Sequence, residues 1–355
     1  MDRPMRVLFD IAHPAHVHFY RHLRAQLEDE GHETRVIARE KDVTCALLER
    51  FEIPHRIVGR AGSGRLHQAR ELVTRVTALV REGREMDADV VLTRNPSGVQ
   101  AATILRIPGV FDTDDGPAVG IHWKTAAPFA DIITTPDCLP PLGPKQRTYP
   151  GYKALAYLHP DHFTPDPAVL DELGVAPGEP FSIVRIVALH ASHDRQITGL
   201  APGDRDRIIK ELRSRGKVFI SMEGGLPPGL DDLRLPVGPH RLHDALAFAQ
   251  LCVGDSQTMT AEAALLGTPA LYLSAFHGRV PYLVDLEARY GLVESFAPTE
   301  ADALIERTIT LADDAGARDR WTERRAAVLG DKVDVSTWYR ELLDEVVGAR
   351  MAARS

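Results

Sequence analysis

The strongest chemical signal in the sequence lies between Gly254 and Ala270. An apolar run predicts a strand that ends at Gly254, and an alanine-rich helical pattern follows it. The side chains at the junction of the two elements are Ser256, Gln257, Thr258 and Met259. Because the first amides of a helix lack intrahelical partners and the helix dipole favours anions, we expect this junction to bind a phosphate or diphosphate.

Glu262 lies one to two turns into the same predicted helix, too far along to cap it. A carboxylate at that depth can accept hydrogen bonds from both hydroxyls of a ribose, so Glu262 is a candidate anchor for a nucleoside. The alternative is structural: Ser256 or Thr258 simply caps the helix, and Glu262 faces solvent.

A second group of candidates lies at the end of the first predicted strand, Arg6–Ile11. Asp10 is in the strand, and His13 and His16 follow it. A doubly wound domain places its active-site loops at the carboxyl ends of strands. His16 could take a proton from an acceptor hydroxyl, since imidazole titrates near pH ~6.5. Alternatively, these histidines cap the next helix or bond the backbone. Their spacing is not that of a helical ligand pair, so we expect no metal site.

Polar residues at other strand and helix ends complete the candidates. Two loops of the second half carry His190, Ser192 and Arg195 in one, and Arg241 and His243 in the other. Arg195 could neutralise charge on a leaving diphosphate, or the first loop could be an ordinary polar surface loop. Asp112, Asp114 and Asp115 follow the predicted strand Gly109–Asp112. They could supply a carboxylate for proton transfer, or be an N-cap and its solvated neighbours.

The elements that position these residues alternate between strand and helix along all 355 residues. This alternation predicts an α/β protein with two Rossmann-like, doubly wound domains that face each other across a cleft. We place the first domain at 1–160 and the second at 165–335. A last helix within 336–355 could return to the first domain. Ten prolines crowd 136–180, which predicts a linker region there.

Composition excludes several classes of protein. The 42 Lys and Arg against 50 Asp and Glu give a net charge of −8, so we expect no nucleic-acid partner. The three cysteines are far apart and predict no disulfide framework. No run approaches the ~20 apolar residues that span a bilayer. We therefore expect a cytoplasmic protein, monomeric or homodimeric, for which peripheral membrane contact stays open.

The segment Gly254–Ala270 resembles the donor-binding segment of the two-domain GT-B superfamily. It is most similar to two branches, the lipid-linked N-acetylglucosaminyltransferases and the non-hydrolysing UDP-N-acetylglucosamine 2-epimerases. In both branches the acidic residue matching Glu262 holds the ribose, and the turn faces the phosphates. The paired glycines of the superfamily are Gln257 and Thr258 here, which implies that side chains contribute to the phosphate site.

The whole chain resembles the domain-of-unknown-function 354 (DUF354) family. The resemblance rests on Asp10–His18 near the start and Gly254–Met259 near the end. It implies a fold rather than a reaction.

The same resemblances suggest roles for other residues. Ala15-His16-Val17 is similar to a Gly-His-Val step of the transferases, which implies that His16 faces the acceptor. His190 matches a histidine of the epimerases that faces the diphosphate or sugar. The loop with Arg241 and His243 matches one that binds the base through main-chain groups. The epimerases use carboxylates from two strand ends for proton transfer, and Asn95, at one matching position, cannot act as a base.

We therefore expect a metal-independent glycosyltransferase without a cofactor. Its donor would be a nucleoside diphosphate sugar, with UDP favoured by the branch resemblance, and its acceptor a small molecule or a glycan or lipid-linked hydroxyl. The alternatives are a nucleotide-sugar 2-epimerase or hydrolase, and a non-catalytic nucleotide-sugar binding protein.

Overall fold

Strands and helices alternate as the sequence pattern predicts. The computed structural model describes residues 3–62, 64–187 and 199–352. The strands are β1 (Arg6–Ile11), β2 (Glu33–Glu40), β3 (Arg56–Arg60), β4 (Val90–Thr93), β5 (Gly109–Asp112), β6 (Ile132–Pro136), β7 (Gln146–Tyr149), β8 (Phe181–Ile186), β9 (Lys217–Met222), β10 (Leu251–Gly254), β11 (Ala270–Leu273) and β12 (Val293–Phe296). The helices are α1 (Pro14–Asp29), α2 (Thr44–Arg50), α3 (Arg65–Glu85), α4 (Pro96–Leu105), α5 (Ile121–Ala126), α6 (Leu155–Leu158), α7 (Val169–Glu172), α8 (Pro202–Arg213), α9 (Leu242–Phe248), α10 (Gln257–Leu265), α11 (Pro281–Ala288), α12 (Ala301–Ala312), α13 (Ala317–Asp331) and α14 (Val335–Ala352).

The strands form two parallel sheets. Their orders are β3-β2-β1-β4-β5-β6-β7 and β12-β11-β10-β8-β9. In each sheet the chain builds outward from one strand and then crosses to that strand's other side. The order therefore reverses between β1 and β4 in the first sheet and between β8 and β10 in the second. Such a point leaves a crevice outside the carboxyl ends of the two strands, where ligands of doubly wound sheets bind.

The chain divides into two units. Unit 1 comprises the chain up to His162 and from Lys332 onward, and unit 2 comprises Phe163–Asp331. Helix α14 belongs to unit 1, where Tyr339, Leu343 and Val347 are buried. The polypeptide therefore passes from unit 1 into unit 2 and back again.

The core of unit 1 explains why its strands appear in the sequence as unbroken apolar runs. Leu8 of β1 and Val91 of β4 are fully buried and pack with Leu79 of α3 and Ala102 of α4. Helices cover a parallel sheet on both faces, so side chains pointing either way from a strand must be apolar. Unit 2 follows the same rule, since all four residues of β10 and of β11 are buried.

The predicted linker needs correction. The proline-rich stretch 136–180 contains β7 and α6, which are parts of unit 1 rather than of a linker. Proline is tolerated there because Pro136 ends β6 and because β7 is the edge strand of its sheet. Helix α3 contains a glycine, Gly83, and still runs to Glu85. Tertiary packing carries it through the glycine, which is buried beside Leu105.

Candidate functional site

The crevice of unit 2 contains a pocket of about 290 Å³ at the first turn of α10. Its lining residues are Val187, Gly199, Asp255, Ser256, Gln257, Thr258, Ser274 and Phe276. Ser256 is the N-cap of α10, and its Oγ accepts a hydrogen bond from the Met259 amide at 3.4 Å. The positive end of the helix dipole therefore points at a pocket whose polar side chains are hydroxyls, an amide and the Asp255 carboxyl, and the dipole and its neighbouring hydroxyls suit an anion.

Gly254 lets the strands approach closely enough to form this pocket. A Cβ at residue 254 would lie 2.3 Å from the carbonyl oxygen of Arg185, its partner on β8. Any other residue would push β10 away from β8 at the point where both strands end. The glycine that ends the strand is therefore required by packing in the sheet.

Asp255 is a residue of this site that the sequence predictions missed. Its Oδ1 accepts a hydrogen bond from the Val187 amide at 2.7 Å. A Cβ at Gly199 would come within 2.2 Å of its Oδ2. Burial raises the pKa of the Asp255 carboxyl, while the Val187 amide opposes that shift. Asp255 thus contacts both residues that flank 188–198. Its partner Val187 is 68 positions away, so no local sequence pattern predicts their contact.

The structure separates the predicted nucleotide-binding residues into two groups. Ser256, Gln257 and Thr258 line the pocket. Met259 contributes its amide to the helix cap, and its side chain is buried. Glu262 is also buried, and its Oε1 lies 3.2 Å from Nε2 of His243. The alternative in which Glu262 faces solvent is therefore wrong, whereas the alternative in which Ser256 caps the helix is confirmed.

Arg241 is held by carboxylates of its own unit. Its guanidinium lies within 3.0 Å of Asp166, 2.9 Å of Glu172 and 2.7 Å of Asp244. These ion pairs hold the segment around α7 against the start of α9. Arg241 was predicted to lie in a loop that binds the base through main-chain groups, and these side-chain ion pairs do not test that prediction.

The remaining predicted residues of the second half are His190, Ser192 and Arg195, which lie outside the described residues. Among the described residues, no group of three or more His, Cys, Asp or Glu side chains is arranged to hold a metal ion. Across the same residues, no helix is both long and apolar enough to cross a bilayer.

The crevice of unit 1 contrasts with this pocket because polar side chains fill it. Asp10, at the end of β1, is fully buried. Its Oδ1 pairs with Arg75, and its Oδ2 accepts from Thr93 Oγ1 at 3.0 Å and Ser97 Oγ at 2.7 Å. Asp10 was predicted as a catalytic residue, but both its oxygens are used to hold α3 and the β4–α4 junction. Its geometry is that of a structural support.

His13 and His16 turn the chain from β1 into α1. Nδ1 of His13 accepts from the Ala15 amide at 3.2 Å, and Nδ1 of His16 accepts from the Ala12 amide at 3.3 Å. The predicted alternative, in which these histidines cap the helix and bond the backbone, is thus realised. In a neutral ring whose Nδ1 accepts, the proton is on Nε2. Each Nε2 is therefore a hydrogen-bond donor.

Both rings are neutral at physiological pH. Burial, followed by the positive charges of Lys41, Lys153, Arg94 and Arg39, lowers the pKa of His13 to about 3. Burial and then Arg94 hold the pKa of His16 well below its usual range. For His16 to act as a base from Nε2, the ring must first release the Ala12 amide. The role of His16 as a base stays a prediction, and the tautomer with its proton on Nε2 does not favour it.

A buried charge cluster occupies the ends of β4 and β5. Arg94 pairs with Asp112 and Asp114, and Lys153 Nζ lies 2.6 Å from Asp114 Oδ2. Tyr339 of α14 donates to Asp112 Oδ2 at 2.7 Å. We predicted that Asp112, Asp114 and Asp115 are either proton-transfer groups or an N-cap and its solvated neighbours. Asp112 and Asp114 are buried, so the solvated alternative is wrong for them. Asp115 is half-buried, and burial followed by the charge of Asp114 raises the pKa of its carboxyl.

The pKa of Asp114 bears on the other alternative, in which this residue transfers a proton. Burial raises the pKa of this carboxyl, but Arg94 and Lys153 outweigh burial and hold the pKa below its usual range. A carboxylate that binds protons so weakly is a poor base near neutral pH. Asp114, predicted among the catalytic residues, therefore has the geometry of an ion-pair partner.

Two doubly wound units, one with the order of a dinucleotide-binding sheet and the other with a flavodoxin-like order, define the GT-B class of fold. A family model described as "Protein of unknown function (DUF354)" matches residues 5–141. This match confirms the resemblance to that family within unit 1. The segment Gly254–Met259, on which the resemblance also rested, lies outside the match. No curated protein matches the sequence.

Solved structures confirm the fold across both units. A UDP-N-acetylglucosamine 2-epimerase superposes with a TM-score of 0.67 at 15% identity, covering 97% of this chain and 96% of its own. The glycosyltransferase VinC in complex with dTDP gives 0.62 at 16%, covering 99% and 100%. A structure of S. aureus MnaA with UDP gives 0.63 at 14%, covering 90% and 91%. At these identities the likeness shows the fold alone.

Proposed function

We propose that unit 2 binds a nucleoside diphosphate sugar and that the protein transfers the sugar to an acceptor hydroxyl. The pocket at the first turn of α10 is the observation that carries this proposal. A diphosphate in it would meet the positive end of the helix dipole and the side chains of Ser256, Gln257 and Thr258. The fold likeness agrees, since VinC was solved with dTDP and MnaA with UDP.

Glu262 and His243 support the nucleoside in this proposal. Their contact at 3.2 Å fixes the carboxylate in the second turn of α10, behind the phosphate-binding first turn. A ribose hydroxyl can bond Glu262 only if it reaches a carboxylate that is almost wholly buried. We propose UDP as the nucleotide to test first, on the strength of the branch resemblance.

The proposed transfer needs no metal ion. Asp255 is the carboxylate at the pocket, and it contacts the Val187 amide and packs against Gly199. A carboxylate that holds backbone in this way is poorly placed to bridge a cation to a diphosphate. Turnover that survives an excess of EDTA would agree with this part of the proposal, and turnover restored only by a divalent cation would contradict it.

Epimerisation is the competing reaction, and the charge cluster of unit 1 argues against it. The epimerases abstract and return a proton with carboxylates from two strand ends. Here one matching position is Asn95, and the nearby carboxylates Asp112 and Asp114 are paired with Arg94. Both are held as ion-pair partners, which leaves Asp115 as the predicted carboxylate for which proton transfer stays open.

A ligand screen followed by a product assay tests the proposal. A nucleotide that binds only the folded protein adds about 2.7 kcal/mol of stability at 100 times its dissociation constant. We expect UDP or dTDP, and their sugars, to raise the melting temperature. UDP-N-acetylglucosamine incubated alone should stay intact. Release of an epimer or of UDP would indicate an epimerase or hydrolase, and absence of binding by every nucleotide diphosphate would contradict the donor site.

Two substitutions of His16 separate its chemical roles in the transfer. The side-chain amide of His16→Gln can place a donor near the position of Nε2, whereas His16→Asn keeps only an acceptor near Nδ1 for the Ala12 amide. If His16 acts as a donor, the Gln variant should retain more activity than the Asn variant. If it acts as a base, both variants should lose activity equally.

A further inference from the structure

Among the described residues, the turn from β1 into α1 carries two imidazole donors that have no hydrogen-bond acceptor. Nδ1 of His13 and Nδ1 of His16 both accept backbone amides, so each ring exposes a protonated Nε2 to a ligand. The ring centroids are 5.8 Å apart. His16 is nine-tenths buried, yet among the described residues its Nε2 has no hydrogen-bond partner. This donor is left for an acceptor from a ligand or from water.

Cations surround the two rings. The charged groups that act on His13 are Lys41, Lys153, Arg94 and Arg39, all of them positive. Three of these cations are already paired with carboxylates: Arg39 with Glu71, and Arg94 and Lys153 with Asp114. Lys41 has a looser partner, Asp42 at 3.7 Å. A group that approaches the Nε2 atoms therefore meets two donors, and Lys41 is the cation with the most charge left for it.

Helix α1 adds a favourable field but few donors. Its first residue, Pro14, has no N–H, the Ala15 amide is bonded to His13 Nδ1, and the His16 amide is bonded to the His13 carbonyl at 2.9 Å. The helix therefore contributes its dipole, and the hydrogen bonds must come from side chains. This division explains why two imidazoles stand at a position that glycine-rich loops usually occupy in phosphate sites.

We propose that His13, His16 and Lys41 form an oxyanion site at the carboxyl ends of β1 and β2, which takes a phosphate or carboxylate group of the acceptor. A neutral hydroxyl could satisfy one donor, whereas an anion accepts from both imidazoles and pairs with Lys41. The site itself follows from the geometry of unit 1. Its assignment to the acceptor rests on the proposed function.

Histidine NMR tests the site directly. We would record two-dimensional 1H–15N spectra of the imidazoles and assign the two rings from their absence in His13→Asn and His16→Gln. Inorganic phosphate and acetate are the probes. We expect the Nε2 signals of both rings to shift with one or both anions. A stronger response to phosphate would indicate a phosphorylated acceptor, and a stronger response to acetate an acidic one.

A lysine variant provides the matched control. Lys41→Met should weaken binding of the effective anion about tenfold, which corresponds to the loss of one charge-assisted contact. Lys210→Met, on the exposed face of α8 in unit 2, should leave the affinity unchanged. Rings that do not respond to either anion, or a response that Lys41→Met leaves unaltered, would overturn the proposal.

UDP binding, measured in the same samples, keeps the two proposals separate. Rings that ignore both anions in a protein that still binds UDP would remove the oxyanion site and leave the donor site standing. Rings that respond in a protein that binds no nucleotide would remove the donor site alone.

Discussion

The carboxyl edges of the two sheets are lined by different kinds of side chain. In unit 1 the edge is filled by buried charges that satisfy one another, among them Asp10 with Arg75 and Arg94 with Asp112 and Asp114. In unit 2 the corresponding edge is an open pocket lined by small polar groups such as Ser256 and Thr258. Around Asp10 and Arg94 the edge of unit 1 thus supports the fold, whereas the corresponding edge of unit 2 is an open pocket.

This difference separates charged groups that stabilise the fold from polar groups that are available to a ligand. A guanidinium paired with two buried carboxylates cannot also neutralise a ligand, so the cluster around Arg94 stabilises unit 1. A helix terminus whose dipole faces an unfilled pocket keeps its attraction for a ligand. Buried charge at a strand end is therefore weak evidence for catalysis, whereas small donors around a cavity are better evidence for binding.

The largest expected effect is on the stability of unit 1. Arg94→Met leaves Asp112 and Asp114 buried without their shared partner, which should cost about 3–5 kcal/mol. Hydrogen exchange of the β4 and β5 amides measures this loss within unit 1. Arg207→Met, which removes an exposed pair with Asp302 in unit 2, is the control and should leave the exchange of those amides unchanged. Equal protection in both variants would mean that unit 1 does not depend on its charge cluster.

The next effect is on ligand binding by unit 2. Thr258→Asp places a negative charge in the first turn of α10, where it suits the helix dipole but repels a diphosphate. We expect UDP to bind about 100-fold more weakly, a loss of roughly 2.7 kcal/mol, with the melting temperature unchanged or raised. The neutral isostere Thr258→Asn should bind UDP nearly as well as the parent protein. Unaltered affinity of the Asp variant in calorimetry would place the diphosphate elsewhere.

Much of the fold was predictable because local patterns encode it. The apolar runs at Arg6–Ile11 and Leu251–Gly254 became β1 and β10, since strands buried on both faces of a parallel sheet must be continuously apolar. Edge strands carry no such signal. Gln146–Tyr149, which forms β7, is polar at three of its four positions and lies among prolines. Its pairing with β6 is a tertiary property that no short window of sequence contains.

The candidate site was predictable where its residues are neighbours in the chain. Ser256, Gln257 and Thr258 were found because the strand, turn and helix that place them are consecutive. The partners that decide protonation and availability were not found, because they are distant in sequence. Tyr339 lies 227 positions from Asp112, and Val187 lies 68 from Asp255. Pattern analysis therefore located candidate groups but could not tell an engaged carboxylate from an available one.

A smaller effect should follow from removing one hydroxyl at the charge cluster. Tyr339→Phe deletes the donor to Asp112 Oδ2 at 2.7 Å. A hydrogen bond to a buried charge is worth about 1.5–3 kcal/mol, so unit 1 should lose stability of that order in denaturant unfolding. Tyr149→Phe is the matched control, because the hydroxyl of this buried tyrosine has no hydrogen-bond partner among the described residues. Its loss should be neutral or stabilising. Equal losses in the two variants would show that ring packing, and not the bond to Asp112, explains the effect.

The smallest expected effect is the acid sensitivity of unit 1, which should depend partly on Asp334 at the start of α14. This carboxylate lies 2.8 Å from Nε2 of His162 and accepts from the Ser336 amide at 3.0 Å. Burial raises its pKa, but the bonds from His162 and Thr337 prevail and lower the pKa to about 2. Because the folded value lies below the unfolded value of about 3.9, the carboxylate stabilises the fold above about pH 4. That contribution should disappear as the pH falls towards 2.

Asp334→Asn keeps an N-cap for α14 but cannot titrate. The variant should therefore be less stable than the parent at neutral pH, and the difference should shrink between pH 4 and 2. Urea unfolding at a series of pH values measures this convergence. Asp302→Asn, an exposed carboxylate of unit 2, should unfold in parallel with the parent at every pH. If the Asp334 variant also stayed parallel to the parent, Asp334 would not contribute to the acid sensitivity of unit 1.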